Sequence, residues 1–437
     1  METIDHIPTS KIKRATKIIS TGAKVGVNYA KYYTSKLVSS PEKAKKKLDE
    51  SNADDIYDSL KNLKGGALKV AQMLSMDKRI LPEAYVEKFS LSQFQVPPLS
   101  PALVTKTFKK YFGKSPLEIF DKFTAKSVNA ASIGQVHMAE KDGKKLAVKI
   151  QYPGVAESIG TDLALVKPFA IKMFNLQGEG SDQYFEEVCD KLLEEANYLL
   201  EVEQSKIISE ACSQMSNMRF PQYYSHLSSD RIITMDWMDG EPITTFSKTN
   251  QDTILSNKLG QAMWDFYMFQ IHDLKMVHAD PHPGNFLISK EGELIVIDFG
   301  CVKKIPNAFY HPYFELSDPQ YLQNDKLFRE KLYQLEILRN DDSEQEIAFF
   351  KTMFHELLEL FVRPLIAESF DFTDQTYFDS LAEVGERYAK GTELRKMNGN
   401  RGSRHFIYMN RTFFGLYHLM NALGANNIKI NKVRKAA

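Results

Sequence analysis

Three polar residues in the middle of the chain have the types and spacing that a magnesium-dependent reaction needs. Asp280 lies in the segment HADPHPGN, Asn285 follows it five residues later, and Asp298 comes thirteen residues after that asparagine in IDFG. An aspartate can orient a nucleophile and accept its proton, whereas amide and carboxylate oxygens are ligands that Mg²⁺ prefers. We therefore predict a catalytic role for Asp280 and a magnesium-binding role for Asn285 and Asp298.

The same spacing occurs in the catalytic loop and the D-F-G segment of kinases, which hold phosphates in place and orient a nucleophile. Upstream, the segment LAVKIQ is similar to the kinase strand whose lysine binds the α- and β-phosphates of ATP, and this similarity gives Lys149 that role. A lysine on a strand, taken alone, is more often an exposed surface residue. The match to the other motifs favours the functional interpretation and predicts ATP as a cofactor.

A loop that covers the phosphates is predicted just before this strand. The segment NAASIGQV has the register of the kinase glycine-rich loop, but Asn129 and Ala131 stand where the first two glycines would be. Residues with a Cβ narrow the available backbone conformations, so we expect nucleotide handling to differ from that of an ordinary protein kinase. The predicted nucleotide-binding residues are Ala130, Ala131, Ser132, Ile133, Gly134, Gln135, Val136 and Lys149.

Hydrophobic spacing predicts the elements around these motifs. The spacing is helical up to about residue 120, apart from a charged stretch over 39–54 that we predict to be a hinge or helix end. Short strands follow from about residue 125, with hairpin turns at 142–143 and 291–292. One long helix is predicted over 181–213, and the chain after about residue 306 is predicted to be helix and loop.

Composition narrows the class of protein. The chain has 437 residues, 43% hydrophobic and 26% charged, which favours a folded protein of two lobes over a disordered one. The chain has 56 basic and 56 acidic residues. Its net charge is therefore zero and gives no reason to expect nucleic acid as a partner. The three cysteines are odd in number and have no C-x-x-C spacing, which argues against a disulfide framework or a zinc site and indicates a reducing compartment.

The N-terminal segment has features of a membrane-surface helix. Residues 11–37 place apolar side chains on one stripe, and their charged residues are all basic. Two interpretations stay open: this helix lies on anionic lipid, or it packs on the protein's own core with a solvated basic face. Because the sequence has no spanning stretch of about 18 apolar residues and no apolar leader, we expect a cytoplasmic protein, peripheral on the inner face of a membrane.

Three longer motifs carry a more specific resemblance. The segments AASIGQVH, VKIQYPGV and HADPHPGN together resemble the UbiB/AarF family of atypical kinase-like ATPases, and the similarity extends over about residues 54–302. The resemblance implies an α+β, two-lobed protein-kinase-like fold with an N-terminal helical extension over the active site. It also implies support of isoprenoid quinone or membrane-lipid metabolism, with lipid or quinone-pathway enzymes as partners.

The family's shorter motifs are matched with substitutions. Its K-x-G-Q motif corresponds to Lys69 and Gln72, with alanine in place of the glycine, and its E-x-D motif corresponds to Glu195 and Asn197, with asparagine in place of the aspartate. The resemblance implies that these two motifs form a lid that obstructs protein substrates. It also implies that Glu201, six residues after Glu195, pairs with Lys149.

The sequence thus predicts four regions: a basic segment and hinge over 1–50, a helical extension over 51–124, a kinase-like small lobe over 125–240 and a helical large lobe over 241–437. The predicted function is that of a Mg²⁺-dependent, ATP-binding kinase-like ATPase. A small-molecule phosphotransferase of the choline or aminoglycoside kinase type is an alternative, because such enzymes share the H-x-D loop. A nucleotide-binding pseudokinase scaffold is another.

Overall fold

The computed structural model describes residues 11–35, 40–63, 84–85, 88, 98–131, 133–174, 181–390, 397 and 401–430. The chain divides into two compact units. The first unit contains residues 1–203 and 222–237, and the second contains residues 204–221 and 238–437. The finer division predicted at residues 50, 124 and 240 stays a prediction.

The helices of the first unit are α1 Lys11–Ser35, α2 Pro41–Leu63, α3 Pro101–Phe112, α4 Pro116–Ile119, α5 Val155–Phe174, α6 Ser181–Glu195 and α7 Tyr198–Ala211, whose last residues enter the second unit. The predicted hinge or helix end over 39–54 is confirmed only at its start, where α2 begins at Pro41, and it is wrong for residues 41–54, which lie within that helix. Its lysines and glutamates are good helix formers. Ala44, Leu48 and Ile56, at four- and eight-residue spacing, are buried and form a narrow apolar stripe on a mostly polar helix.

The strands are β1 Lys122–Phe123, β2 Asn129–Ala131, β3 Gly134–Lys141, β4 Lys144–Gln151, β5 Met218–Arg219, β6 Ile232–Asp236, β7 Glu241–Pro242, β8 Met276–His278, β9 Phe286–Ile288, β10 Leu294–Val296, β11 Val302–Lys304, β12 Ser369–Phe370 and β13 Ile428–Lys429. In the first unit, β1, β3, β4 and β6 form an antiparallel sheet in that order, and β2 also pairs with β3. The predicted turn between β3 and β4 is confirmed. Asp142 and Gly143 both have positive φ, 51° and 76°, as a two-residue type I′ turn requires.

The second unit contains a four-stranded sheet in the order β5-β10-β9-β7 and two short pairs, β8 with β11 and β12 with β13. The predicted turn at 291–292 between β9 and β10 is confirmed, and Gly292 has φ 72°. After residue 306 the described chain is mainly helical, as predicted, but β12 and β13 are missed, because two-residue strands show no alternation.

The helices of this unit are α8 Ile243–Thr249, α9 Thr253–Phe269, α10 Asn307–Glu315, α11 Pro319–Gln323, α12 Asp325–Gln334, α13 Glu344–Phe361, α14 Arg363–Ile366, α15 Gln375–Lys390 and α16 Arg404–Leu423.

A buried ion pair joins the turn before α13 to the segment before α16. Arg401 Nη1 lies 2.6 Å from each carboxylate oxygen of Asp342, and the guanidinium lies 3.9 Å from the ring centroid of Phe350. The two charged side chains are only 2% and 4% exposed. Removing one partner of such a pair leaves a charge buried in a medium of low dielectric constant.

We expect Arg401→Met to lower the free energy of unfolding by about 3 to 5 kcal/mol, because Asp342 stays buried without its partner. Urea denaturation followed by circular dichroism measures this loss. Arg387→Met is the matched control: Arg387 contacts Glu356 at the same 2.6 Å, but its side chain is 57% exposed, so the loss is much smaller. Equal losses in the two variants would contradict the prediction.

Candidate functional site

The strand pairing of the second unit brings the three polar residues of the predicted loop together. Asp280 comes two residues after β8, Asn285 immediately precedes β9, and Asp298 comes two residues after β10. Antiparallel pairing places Phe286 opposite Val296 in the β9–β10 hairpin. The Ile297 amide donates to the Asn285 carbonyl at 3.0 Å, so the backbone itself links the predicted magnesium ligands.

A second backbone ladder fixes the predicted catalytic aspartate. β8 pairs with β11, with His278 opposite Val302, and the amide of Ala279 donates to the carbonyl of Cys301 at 2.8 Å. β11 begins soon after the D-F-G segment. The residue before Asp280 is therefore tied directly to the chain that follows Asp298.

Side-chain hydrogen bonds orient the two predicted magnesium ligands. Asn285 Nδ2 donates to the carbonyl oxygen of Asp280 at 3.0 Å, so Oδ1 is the atom of this amide that can face a cation. Asp298 Oδ1 accepts from the amide of Gly300 at 2.7 Å. One amide oxygen and one carboxylate are the kind of ligand set with which Mg²⁺ is bound when substrate phosphates supply further oxygens. The donor atoms present therefore fit this ion.

Beneath the loop lies a buried support that sequence reasoning missed. The backbone amide of His278 donates to Gln270 Oε1 at 2.9 Å, and Gln270 Nε2 donates to the carbonyl of Phe266 at 3.1 Å. Gln270 begins a π-helical turn over Gln270–Leu274, a distortion that occurs frequently at functional sites. Tyr267 Oη lies 3.5 Å from His278 Nδ1, and complete burial raises the pKa of Tyr267 well above its usual value. The signal in the sequence is a glutamine directly after the aromatic and apolar run 266–269.

The first unit contains the other predicted pair. Lys149 Nζ lies 2.6 Å from Glu201 Oε1, and the two side chains are 7% and 5% exposed. Lys149 lies on β4 opposite Val136 on one side and Ile233 on the other, so its backbone is held in the centre of the sheet. The ring of Tyr198 lies 5.1 Å from Nζ. The structure thus brings these two residues together, and their role toward nucleotide stays a prediction.

A break between two helices sets the position of Glu201. The single helix predicted over 181–213 is wrong, because α6 ends at Glu195 and α7 begins at Tyr198. Asn197 Oδ1 accepts from the amide of Leu200 at 3.2 Å, the hydrogen bond of a helix N-cap. Asparagine caps a helix as well as aspartate does, so the change from E-x-D keeps this contact.

The junction is also attached to the sheet. The carbonyl oxygen of Ala196 accepts from Gln151 Nε2 at 3.0 Å and from Arg231 Nη1 at 3.2 Å. Gln151 is two residues beyond Lys149 on β4, so the same strand carries the lysine and holds the start of the helix that carries its glutamate. Lys69 and Gln72 lie outside the described residues, and Glu195 is half-buried. The predicted lid therefore stays a prediction.

The predicted phosphate-covering loop is the β2–β3 hairpin. Ala130 and Ala131 lie on β2, Ile133 is buried in the turn, Gly134, Gln135 and Val136 begin β3, and Ser132 lies outside the described residues. At Gly134, a Cβ would lie 2.4 Å from the carbonyl oxygen of Ile150 and 2.9 Å from Tyr198 Oη. Only glycine allows the hairpin to approach β4 and α7 this closely.

Gln135 belongs to a buried chain of hydrogen bonds. Its Oε1 accepts from the amide of Leu99 at 2.7 Å, and its Nε2 lies 2.7 Å from His137 Nε2. His137 Nδ1 lies 2.7 Å from the carbonyl oxygen of Thr124, which can only accept, so Nε2 is the acceptor for Gln135. Burial lowers the pKa of His137 and favours this neutral form. The side chain of Gln135 thus attaches the segment at Leu99 to the hairpin. His137 was missed, although it shares a face of β3 with Gln135.

The chain matches a known protein family over more than half of its length. The family model described as the ABC1 atypical kinase-like domain matches residues 91–330. The chain belongs to the ABC1 atypical kinase-like family. The resemblance to UbiB/AarF-type atypical kinases, first seen in three sequence motifs, is confirmed.

Two curated relatives illustrate the range of the family. The mitochondrial atypical kinase COQ8 of Saccharomyces cerevisiae is 30% identical over 381 residues, which cover 86% of this chain and 75% of the yeast protein. The chloroplastic protein ACTIVITY OF BC1 COMPLEX KINASE 8 of Arabidopsis thaliana is 29% identical over 262 residues, which cover 56% of this chain but 34% of that protein. This ABC1-family chain therefore spans about a third of the plant relative's length.

A solved structure confirms the fold class. The Rv3197–erythromycin complex from Mycobacterium tuberculosis matches 90% of this chain and 96% of that chain, with a TM-score of 0.58 and 23% sequence identity. At this identity the likeness concerns the fold alone. The predicted α+β kinase-like fold is therefore confirmed.

Proposed function

We propose that this chain is a Mg²⁺-dependent, ATP-binding atypical kinase-like ATPase. The observation that supports it most is the buried contact between Lys149 and Glu201. A buried ion pair is a weak source of stability, since apolar residues of similar volume serve as well or better. Titratable groups held in such surroundings are frequently functional, and here the pair occurs in a family whose described relatives are atypical kinases.

Each predicted residue has a distinct role in this proposal. Lys149 binds the α- and β-phosphates, and Glu201 orients it. Asn285 and Asp298 hold magnesium through their side-chain oxygens, and Asp280 orients the nucleophile. Magnesium neutralises charge on the phosphate oxygens when it is bound. The alanine-containing β2–β3 hairpin, residues 129–136, covers the phosphates.

The wider role that we propose is support of isoprenoid quinone or membrane-lipid metabolism. Its support is family membership and the resemblance to UbiB-type ATPases. Among the described residues, no helix is both long and apolar enough to cross a membrane. The yeast and plant relatives are named as mitochondrial and chloroplastic proteins. For this chain we propose peripheral attachment to the inner face of a membrane, with lipid or quinone-pathway enzymes as partners.

Turnover of ATP with a traced γ-phosphate tests the proposed activity. Purified full-length chain is incubated with γ-labelled ATP and Mg²⁺, with EDTA as the control, in the presence and absence of anionic liposomes. We expect label in inorganic phosphate and negligible label in added proteins, as the lid implied by the family would require. Label in a small-molecule acceptor would assign a phosphotransferase of the choline kinase type. Nucleotide binding without any turnover would assign a pseudokinase and refute the proposal.

The structure defines one face of the proposed membrane helix. α1 packs along α2, where Thr21 Oγ1 donates to Ser59 Oγ at 2.6 Å and Asn28 Nδ2 donates to Asp55 Oδ2 at 2.9 Å. Lys24 and Lys31, seven residues apart and thus on one helix face, are exposed. Lys24 Nζ also lies 3.3 Å from Asp55 Oδ1 of α2, but the Lys24 side chain is 63% exposed, so both lysines stay accessible to an anionic surface.

We expect the double variant Lys24→Gln/Lys31→Gln to bind phosphatidylserine-containing vesicles about 30-fold more weakly than the unmodified chain. Each basic residue near such a surface contributes about 1 kcal/mol, and about 1.4 kcal/mol corresponds to a tenfold change. Vesicle co-sedimentation at low and high salt measures the effect, which screening abolishes. Lys106→Gln/Lys110→Gln removes the same charge from the exposed face of α3 and is the control. Equal binding by both double variants would favour a helix that serves only to pack on the protein.

A further inference from the structure

A cation from the C-terminal part of the chain contacts the proposed catalytic aspartate. Arg411 on α16 places Nη2 3.6 Å from Asp280 Oδ1, and the two side chains are 29% and 33% exposed. Kinase catalytic loops commonly carry arginine directly before the aspartate, in the sequence H-R-D. Here that position is Ala279, which is buried. The loop therefore supplies no cation of its own there.

The same helix also touches the loop one turn further on. At Gly415, a Cβ would lie 2.2 Å from Cγ of Pro281 and 3.3 Å from its carbonyl oxygen. No side chain larger than hydrogen fits without moving the loop backbone. Positions 411 and 415 are four residues apart and share a helix face. This face of α16 therefore contacts the loop twice, through the charge of Arg411 and through the close approach of its backbone at Gly415.

α16 is firmly held at this place. Phe413 and Leu416, beside the two contact positions, are completely buried. Asn410 Oδ1 accepts from Tyr313 Oη at 2.7 Å, and Tyr417 Oη donates to the carbonyl oxygen of Phe361 at 3.3 Å. Helices α10 and α13 thus fix the rotation of α16 about its axis, which decides where Arg411 points.

We propose that Arg411 is a positioning residue for the reaction, which holds the carboxylate of Asp280 in the orientation that the nucleophile requires. This inference rests on the proposed ATP-dependent activity. A separation of 3.6 Å exceeds that of a short charge-assisted hydrogen bond, so the guanidinium attracts the carboxylate without a tight bidentate clamp. A carboxylate has about four acceptor sites and this contact engages one of its oxygens, so the contact is compatible with acceptance of a proton from a nucleophile.

The test compares three full-length variants. We expect Arg411→Gln to lower kcat by up to about 10²-fold, the cost of a displacement of about 1 Å at a reacting group. KM for ATP stays within a factor of about two, because the phosphates are bound by other residues. A lower kcat with an unchanged KM distinguishes a positioning role from general damage to the protein. Arg411→Lys restores part of kcat, since a contact at 3.6 Å to Asp280 Oδ1 needs a positive charge more than the guanidinium fork. Arg404→Gln removes the same charge from the exposed first turn of α16 and leaves turnover unchanged.

Hydrogen exchange of the peptide 276–288 gives a readout that does not depend on turnover. We expect faster exchange in Arg411→Gln than in the unmodified chain and in Arg404→Gln. Unchanged kcat and exchange would overturn the proposal, and so would an equal loss of kcat, ATP affinity and thermal stability. If the unmodified chain hydrolyses no ATP, the proposed function fails, whereas the exchange result still decides whether Arg411 orders the loop.

Discussion

Asp298→Asn is expected to lower kcat for ATP turnover by about a hundredfold or more without unfolding the protein. A metal ion contributes several kcal/mol of charge stabilisation in the transition state, and about 1.4 kcal/mol corresponds to a factor of ten in rate. Asparagine keeps an oxygen that can accept from the amide of Gly300, as Asp298 Oδ1 does at 2.7 Å. This hydrogen bond after β10 is therefore preserved, whereas the negative charge that we propose to bind magnesium is lost.

A matched control exists in the loop after β12. Asp371 Oδ1 accepts from the amide of Thr373 at 2.8 Å, the same two-residue spacing as between Asp298 and Gly300. Asp371→Asn should leave turnover at the level of the unmodified chain. The measurement is the rate of phosphate release as a function of Mg²⁺ concentration, with circular dichroism to verify folding. Full activity of Asp298→Asn would show that the reaction does not use this aspartate.

The linear order of motifs made the fold and part of the site predictable. Hairpin turns with glycine, such as Asp142-Gly143, depend on local backbone chemistry and are visible in sequence. Asp280, Asn285 and Asp298 were predictable as a group because they flank three consecutive strands. Their proximity follows from two backbone ladders, the β9–β10 hairpin and the pairing of β8 with β11.

Two contacts across long sequence separations, which no motif of the chain indicates, were not predictable. Arg411 reaches Asp280 from a helix near the end of the described chain, and Gln270 supports His278 from the π-helical turn after α9. Neither has a spacing pattern that relates it to the loop. The break between α6 and α7 was missed because Glu195, Ala196 and Asn197 do not interrupt the helical spacing of apolar residues. At this break the carbonyl oxygen of Ala196 accepts from Gln151 Nε2, a contact across 45 residues that apolar spacing does not show.

The buried pair on β4 and α7 allows stability to be separated from function. Exchange of Lys149 alone for methionine leaves the carboxylate of Glu201 buried without its lysine, which typically costs about 3 to 5 kcal/mol. We therefore expect Lys149→Met to lower both turnover and the free energy of unfolding. Lys122→Met is the control, because Lys122 contacts Glu140 at 2.7 Å in the same sheet but is exposed, so its loss leaves stability nearly unchanged.

The double variant Lys149→Met/Glu201→Leu decides between the two roles of the pair. Replacing both charges by apolar side chains of similar volume removes the unpaired carboxylate, so the free energy of unfolding should return to that of the unmodified chain or exceed it. ATP turnover should remain lost, because methionine cannot bind phosphate, and loss of such a preorganised charge typically costs about 10²- to 10³-fold in rate. Chemical denaturation and phosphate release, measured on the same preparations, give the two values. Recovery of turnover together with stability would mean that the pair serves the fold alone, and the nucleotide would then have to be bound by other residues.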